Sequence, residues 1–162
     1  MENLTLGIGD FGVSATPGAY IKTYALGSCV AVIFYHRDSA TAAMAHVALP
    51  DSSINRAKAQ NKPGNFMDTA IPVLLRELKK KKLRLSPKTL EVALVGGAYV
   101  GKKSDLFRIG QRNVEAARQL LRKYRLRVSR EDVGQSKSRT VTIDISSGKI
   151  MVFNPAEGIW EI

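Results

Sequence analysis

The stretch YALGSCVAVIFYHRDSATAAMAHVALP, residues 24–50, contains two apolar runs of strand length, VAVIFY and TAAMAHVAL, on either side of the polar turn HRDSA. The first run is β-branched and aromatic, and Pro50 closes the second, so the two read as an antiparallel hairpin. The turn decides which residues face each other. A two-residue turn on Arg37-Asp38 sets Cys29, the only cysteine, directly across from His46, one of two histidines. Facing Cβ atoms in such pairs lie about 4.5–5.5 Å apart. A four-residue loop, 37–40, puts Cys29 opposite Ala48 and makes His46 its diagonal neighbour on the same face. Only a one-residue slip separates them to opposite faces.

Working outward, YIKTYAL (20–26) reads as a preceding strand that Gly27-Ser28 interrupts, and an edge strand is expected near residues 5–9. After a polar loop at 51–64, Ile71, Leu74, Leu75 and Leu78 fall at i, i+3, i+4 and i+7, which predicts a helix over 66–81. Asp68 reads as its N-cap, and Pro72 must lie near the first turn or kink it. TLEVALVGG (89–97) reads as a buried strand, and 111–124 as a second helix. RLRVS (125–129) reads as a strand, and RTVTIDISSGKIMVFN (139–154) as a hairpin. Several β-pairs with two helices predict an α+β fold in one domain, 1–162. It is a layered α/β sandwich of mixed, largely antiparallel sheet with helices packed on the outside.

Hydrophobic residues at 44% and charged residues at 24% exclude a disordered chain. One cysteine cannot form an internal disulfide and points to a reducing compartment, the cytoplasm. The N-terminus MENLTLGIGDFGVS lacks the features of a secretory signal, and the longest nearly apolar run, VALVGGAYV, is too short for a bilayer, so no membrane insertion is expected. Charge is the outlier, with 25 Lys and Arg against 14 Asp and Glu for a net +11. Much of it sits in RELKKKKLR (76–84) and RQLLRKYRLRVSR (118–130). Such a field attracts nucleic acid, anionic lipid or acidic protein, or simply solubilises the chain. No base-reading motif accompanies it, so nucleic acid is not an expected partner.

Cys29 and His46 have the residue types of a nucleophile–base pair. The thiolate attacks, and an imidazole beside it can take the proton and later return it to a leaving amine. The imidazole lowers the thiol pKa, which predicts a thiol more acidic than usual; a short helix starting near Cys29, the alternative to the strand at 30–35, would lower it too. Thr23, on the preceding strand, offers a hydroxyl to fix the ring tautomer. Gly27 and Ser28 let the backbone turn and present N–H groups to an oxyanion. Beside this stands the bland reading: a lone cysteine among Val and Ala as inert core, His46 as a buried histidine bonded to a carbonyl, and Thr23 as ordinary strand composition. His36 reads as a solvated turn residue. With no second cysteine and no His pair at ligand spacing, neither a metal nor a cofactor is expected.

LGSCVAVIFY, AMAHVALP, FMDTAIPVLLREL, VGGA, IGQRNVEAARQLL and EDVG…SRTVTIDISSGKIMVFN, in this order, resemble the chemoreceptor glutamine deamidase family, CheD, over about residues 20–155. The resemblance implies a cysteine hydrolase that converts glutamine side chains of methyl-accepting chemotaxis receptors to glutamate, with receptor methylesterase chemistry as a companion. It places the nucleophile on Cys29, the base on His46 and the orienting hydroxyl on Thr23. It also implies a CheC-type phosphatase as partner. Three departures touch the loops of that partner face: Tyr99-Val100-Gly101 after VGGA, and Gln135 and Ser138 where relatives often have glycine. A non-catalytic module regulating such a phosphatase, or a basic nucleic-acid adaptor, is the rival class.

Overall fold

The hairpin forms in the four-residue-loop register. Strands β4 (Val30–His36) and β5 (Thr41–Val47) pair antiparallel, with Val30 opposite Val47 and His36 opposite Thr41. Every residue of both strands is buried, because they lie at the middle of a sheet covered on both faces. This is a computed structural model, and it describes residues 2–99 and 108–162.

The central sheet has the order β2-β5-β4-β6-β7, adding β2 (Phe11–Ser14), β6 (Leu90–Gly96) and β7 (Val128–Val133). Only β6 and β7 run parallel in it. The second sheet has the order β1-β3-β8-β9-β10. Its strands are β1 (Leu4–Leu6), β3 (Tyr20–Leu26), β8 (Arg139–Asp144), β9 (Ile150–Asn154) and β10 (Gly158–Glu161).

Strand alternation then sorts the core into two layers. Val30, Val32 and Phe34, with Ala43 and Ala45, face the helices α2 (Met67–Lys80) and α3 (Ile109–Lys123). Ala31, Ile33 and Tyr35, with Ala42 and Met44, face Ile21, Val141, Ile143 and Val152 of the second sheet. The result is a three-layer α+β sandwich of helices, sheet and sheet, as the sequence predicts. The helices cover one side of the molecule, and Tyr24, Phe153 and Ile159 stay exposed on the other. Burying a side chain the size of Phe34 stabilises by about 1.5–3 kcal/mol. The two sheets are also clipped by a buried ion pair. Arg139 of β8 is 1% exposed, and its Nε donates to Asp132 Oδ1 of β7 at 2.7 Å. Trp160 Nε1 of β10 donates to the other Asp132 oxygen.

Several local expectations are corrected. Phe66, not Asp68, holds the N-cap position of α2; the Asp68 carboxylate instead accepts from Ser52 N and Oγ, tying the preceding loop down. Pro72 sits in the second turn, where it deprives the Asp68 carbonyl of its helical donor. The 51–64 loop contains a short helix, α1 (Arg56–Asn61), started by the Asn55 side chain accepting from Lys58 N. The strand expected at 125–129 begins only at Val128, because Arg125 adopts a left-handed turn at the end of α3. The edge strand falls at Leu4–Leu6 rather than 5–9, paired parallel to β3. His36 is not solvated. It is buried, with Nδ1 on Ser39 Oγ at 2.7 Å and Nε2 on the Arg84 carbonyl at 3.1 Å.

Candidate active site

Thr23 lies in the middle of β3, Cys29 just before β4 and His46 near the end of β5; Thr23 points inward with Ile21, and a bulge after it lets Leu26 do so as well. The β3–β8 ladder runs to Thr23↔Val141 and resumes at Leu26↔Arg139, with Ala25 in the left-handed region at φ 51. The extra residue keeps both Thr23 and Leu26 buried while Tyr24 and Ala25 face out. His46 shares the parity of Ala42 and Met44, so it projects into the layer between the sheets, opposite Ala31. Cys29 lies two residues before Ala31, on the same face, half-buried against that layer. The three expected side chains thus lie on one layer at one end of the sandwich.

The hydrogen bonds at Thr23 settle the histidine tautomer. Thr23 Oγ1 donates its single proton to the Leu6 carbonyl at 2.8 Å. The 2.6 Å contact between Oγ1 and His46 Nδ1 must therefore have the ring N–H as donor. A neutral imidazole protonated at Nδ1 carries its lone pair on Nε2. Among the described residues, Nε2 has no hydrogen-bond partner, and no hydrogen bond joins it to Cys29 Sγ. The backbone of His46 is fixed as well, its N–H donating to the Asp10 carbonyl and its carbonyl accepting from Gly9 N.

The turn before β4 has an uneven pattern of hydrogen bonding. Its three carbonyls are all engaged: Gly27 O by Ala98 N at 2.8 Å, Ser28 O by Asn113 Nδ2 at 3.0 Å, and Cys29 O by Gly97 N at 2.8 Å. Its three amides, of Gly27, Ser28 and Cys29, donate to no described residue. The glycines of VGGA make this approach possible. Gly96 adopts φ +110, and a Cβ there would lie 2.3 Å from the Cys29 carbonyl oxygen. A Cβ on Gly110 would lie 2.4 Å from the Ala98 carbonyl, so α3 seats through glycine on the Gly97-Ala98 segment that bonds this turn.

Burial sets the electrostatics. It pushes the Cys29 thiol above its ordinary value. It pushes the His46 imidazole below its own, with the Asp10 carboxylate partly opposing. Both shifts favour the uncharged pair, so the more acidic thiol expected from the sequence is not what this environment produces. Asp10 is held low by Gly7 N and by Lys62.

Two contributors escape a reading of the sequence. Asp10 adds the carboxylate nearest in effect to His46. Asn113 of α3 is fully buried and donates to both Ser28 O and Ala48 O, joining the Cys29 turn to the end of β5. Its signal was available: Gly110, Asn113, Val114, Ala117 and Leu121 form one buried stripe, and Asn113 is its only amide. Of the residues that depart from the family pattern, Gln135 takes φ +57, the region glycine favours, and its carbonyl accepts from Tyr99 N. The Ser138 carbonyl accepts from Asn154 Nδ2. Val100 and Gly101 lie outside the described residues.

The profile of the family described as "CheD chemotactic sensory transduction" matches residues 48–154, well over half the chain. The chain belongs to the CheD family. A probable chemoreceptor glutamine deamidase CheD of Syntrophotalea carbinolica is 44% identical over 162 residues, all of both chains. One from Methanococcus maripaludis strain C5 is 38% identical, covering 95% of this chain and 96% of its own. One from Pyrococcus horikoshii is 36% identical, over 98% and 96%. The profile match begins two residues past His46, so similarity across Thr23, Cys29 and His46 is carried by the full-length relatives. Among the described residues of this CheD chain, no helix is long and apolar enough to cross a membrane.

Proposed function

We propose that this chain is a protein-glutamine deamidase acting in the cytoplasm on glutamine side chains of methyl-accepting chemotaxis receptors. In this reading Cys29 is the nucleophile, His46 the base and acid, and Thr23 the orienting hydroxyl. The observation that carries it is the Leu6–Thr23–His46 chain, which leaves a bare Nε2 on the face that Cys29 shares. The names of the relatives supply the substrate class.

The chemistry follows from these positions. As substrate enters, His46 Nε2 takes the Cys29 thiol proton, and Sγ adds to the glutamine Cδ. The carbonyl electrons pass to oxygen, for which the unspent amides of Gly27, Ser28 and Cys29 are the donors in this reading. The imidazolium protonates the amide nitrogen, ammonia departs, and a thioester remains. Nε2 then deprotonates a water that attacks the thioester carbonyl. Collapse expels Sγ, which recovers its proton, and glutamate is released. Throughout, Nδ1–H keeps its bond to Thr23, so the ring cannot turn. A glutamyl methyl ester reaches the same thioester with methanol leaving, so the same residues serve methylesterase chemistry. A CheC-type phosphatase is a second partner of this reading, checked by co-elution of the two proteins.

Mass spectrometry of a receptor cytoplasmic fragment tests the proposal. Wild type converts specific glutamines to glutamate, whereas Cys29→Ala and His46→Ala do not. Conversion that persists in Cys29→Ala removes the nucleophile assignment.

A further inference from the structure

The net charge of this chain is gathered at one pole. Residues 79–88 and 122–127 hold ten Lys and Arg and no Asp or Glu, leaving 15 cations against 14 acids elsewhere. All ten are exposed, and among the described residues only Lys80 makes an ion pair, with Glu77. The two segments meet around an apolar crevice of about 160 Å³ lined by Leu75, Lys79, Leu85, Pro87, Tyr124 and Leu126. The pole lies at the far end of β4 from Cys29: the Arg84 carbonyl bonds His36 at the end of that strand, about 20 Å from its start.

We propose that this pole docks the protein on an anionic phospholipid surface, with the candidate active site facing away from it. Three features favour a lipid surface over other polyanions. Six of the ten cations are lysines, compact hydrated charges with no fork to match, and lysine is depleted from protein–protein interfaces. Tyr124 is 43% exposed, and Leu83 and Leu85 are partly exposed among the cations; an amphipathic aromatic with leucines inside a basic field is the pattern of a membrane interface. Nucleic acid would take the charges but has no use for an apolar crevice. The near-neutral remainder of the chain makes the attraction directional, so docking orients the molecule.

Co-sedimentation of the full chain with vesicles of equal parts phosphatidylglycerol and phosphatidylcholine tests this. Binding is expected that weakens as salt rises and is absent on phosphatidylcholine alone. Each Lys or Arg contributes about fivefold near such a surface, so Lys81→Gln/Lys123→Gln/Arg127→Gln lowers partitioning by about a hundredfold. Arg56→Gln/Lys58→Gln, away from the pole, leaves it unchanged. Four results overturn the proposal: equal binding to neutral vesicles, equal loss in the two variants, insensitivity of wild type to salt, or tighter binding to a DNA duplex or poly-glutamate than to the vesicles. The wild-type salt titration decides the matter even if the triple variant fails to fold.

Discussion

Thr23→Val removes one hydroxyl and leaves the shape of the side chain almost unchanged, so it isolates the role of that oxygen. In the native chain the oxygen accepts from His46 Nδ1 at 2.6 Å and donates to Leu6 O at 2.8 Å, with Thr23 wholly buried and His46 4% exposed. Valine leaves both groups unpaired in a dry place, at about 1–3 kcal/mol each, so a stability loss of roughly 2–6 kcal/mol is expected. The catalytic loss has a different origin. Without an acceptor, Nδ1–H no longer holds the ring, and the population with a bare, correctly aimed Nε2 shrinks. A bias of about 1–3 kcal/mol corresponds to a fall of roughly five- to 150-fold in kcat. Thr23→Ser keeps both bonds and stays within a few-fold of wild type. The assay is ammonia release from a receptor fragment, alongside thermal melts and nitrogen NMR of the His46 ring, which should show the Nδ1-protonated form only when a hydroxyl is present. If Thr23→Val is destabilised but its kcat stays within twofold of wild type, the bond is structural alone and the tautomer reasoning fails.

Other perturbations address the frame. Gly96→Ala drives a Cβ to 2.3 Å from the Cys29 carbonyl at φ +110, whereas at Gly134, φ +78, a Cβ meets nothing within 4 Å. The first change should unfold or inactivate the protein and the second cost only about 1–2 kcal/mol, which paired melts will separate. Asn113→Ala and Asn113→Asp both remove the donors to Ser28 O and Ala48 O; kcat should drop at least about tenfold in each while KM moves little, and an unchanged kcat would dismiss Asn113 as a positioning residue. Arg139→Ala leaves Asp132 with Trp160 alone and should cost about 3–5 kcal/mol in denaturant titration. Stability should also depend on pH at both ends. His46 is depressed in the fold, so its contribution is present above its unfolded value and lost as pH falls through the folded one. Cys29 is raised, so its contribution is present below the unfolded thiol value and lost as pH rises through the folded one. Cys29→Ala should flatten the alkaline limb only.

The layers were legible because the periodicities were strong. Residues 30–35 and 92–95 are unbroken apolar runs, 20–26 is rich in aromatic and β-branched residues, and the 67–80 helix shows an unbroken stripe. The hairpin left two registers open, and the left-handed Ala40 closing the turn selected the longer loop. What escaped depends on contacts distant in sequence. Phe11–Ser14 is four residues long and becomes a strand because β5 lies beside it. His36 looks like a turn residue until Arg84, 48 residues away, supplies its second partner. Within the site, a shared face for Cys29 and His46 could be read from parity alone, but the Leu6 acceptor that fixes the tautomer could not. Asn113 was readable as an amide on a buried stripe, and only the fold shows which carbonyls it serves.

A neutral resting pair also changes what the cysteine chemistry should look like. Were Sγ and imidazole an ion pair at rest, alkylation would report a thiol more acidic than usual, and the acidity would depend on His46. Burial shifts both groups the other way, so the charged pair costs energy until something compensates it. The unspent amides of residues 27–29 can do so only once negative charge sits on a substrate oxygen, which couples proton transfer to attack on the carboxamide. Iodoacetamide offers no such oxyanion. Its reaction with Cys29 should therefore rise only at pH above the ordinary thiol range, and His46→Ala should leave that profile nearly unchanged. Deamidation should already be on its plateau near neutrality, with an acid limb below the usual imidazole range because His46 is depressed. An alkylation midpoint below the ordinary thiol value, abolished by His46→Ala, would establish a resting thiolate and discard the substrate-gated transfer.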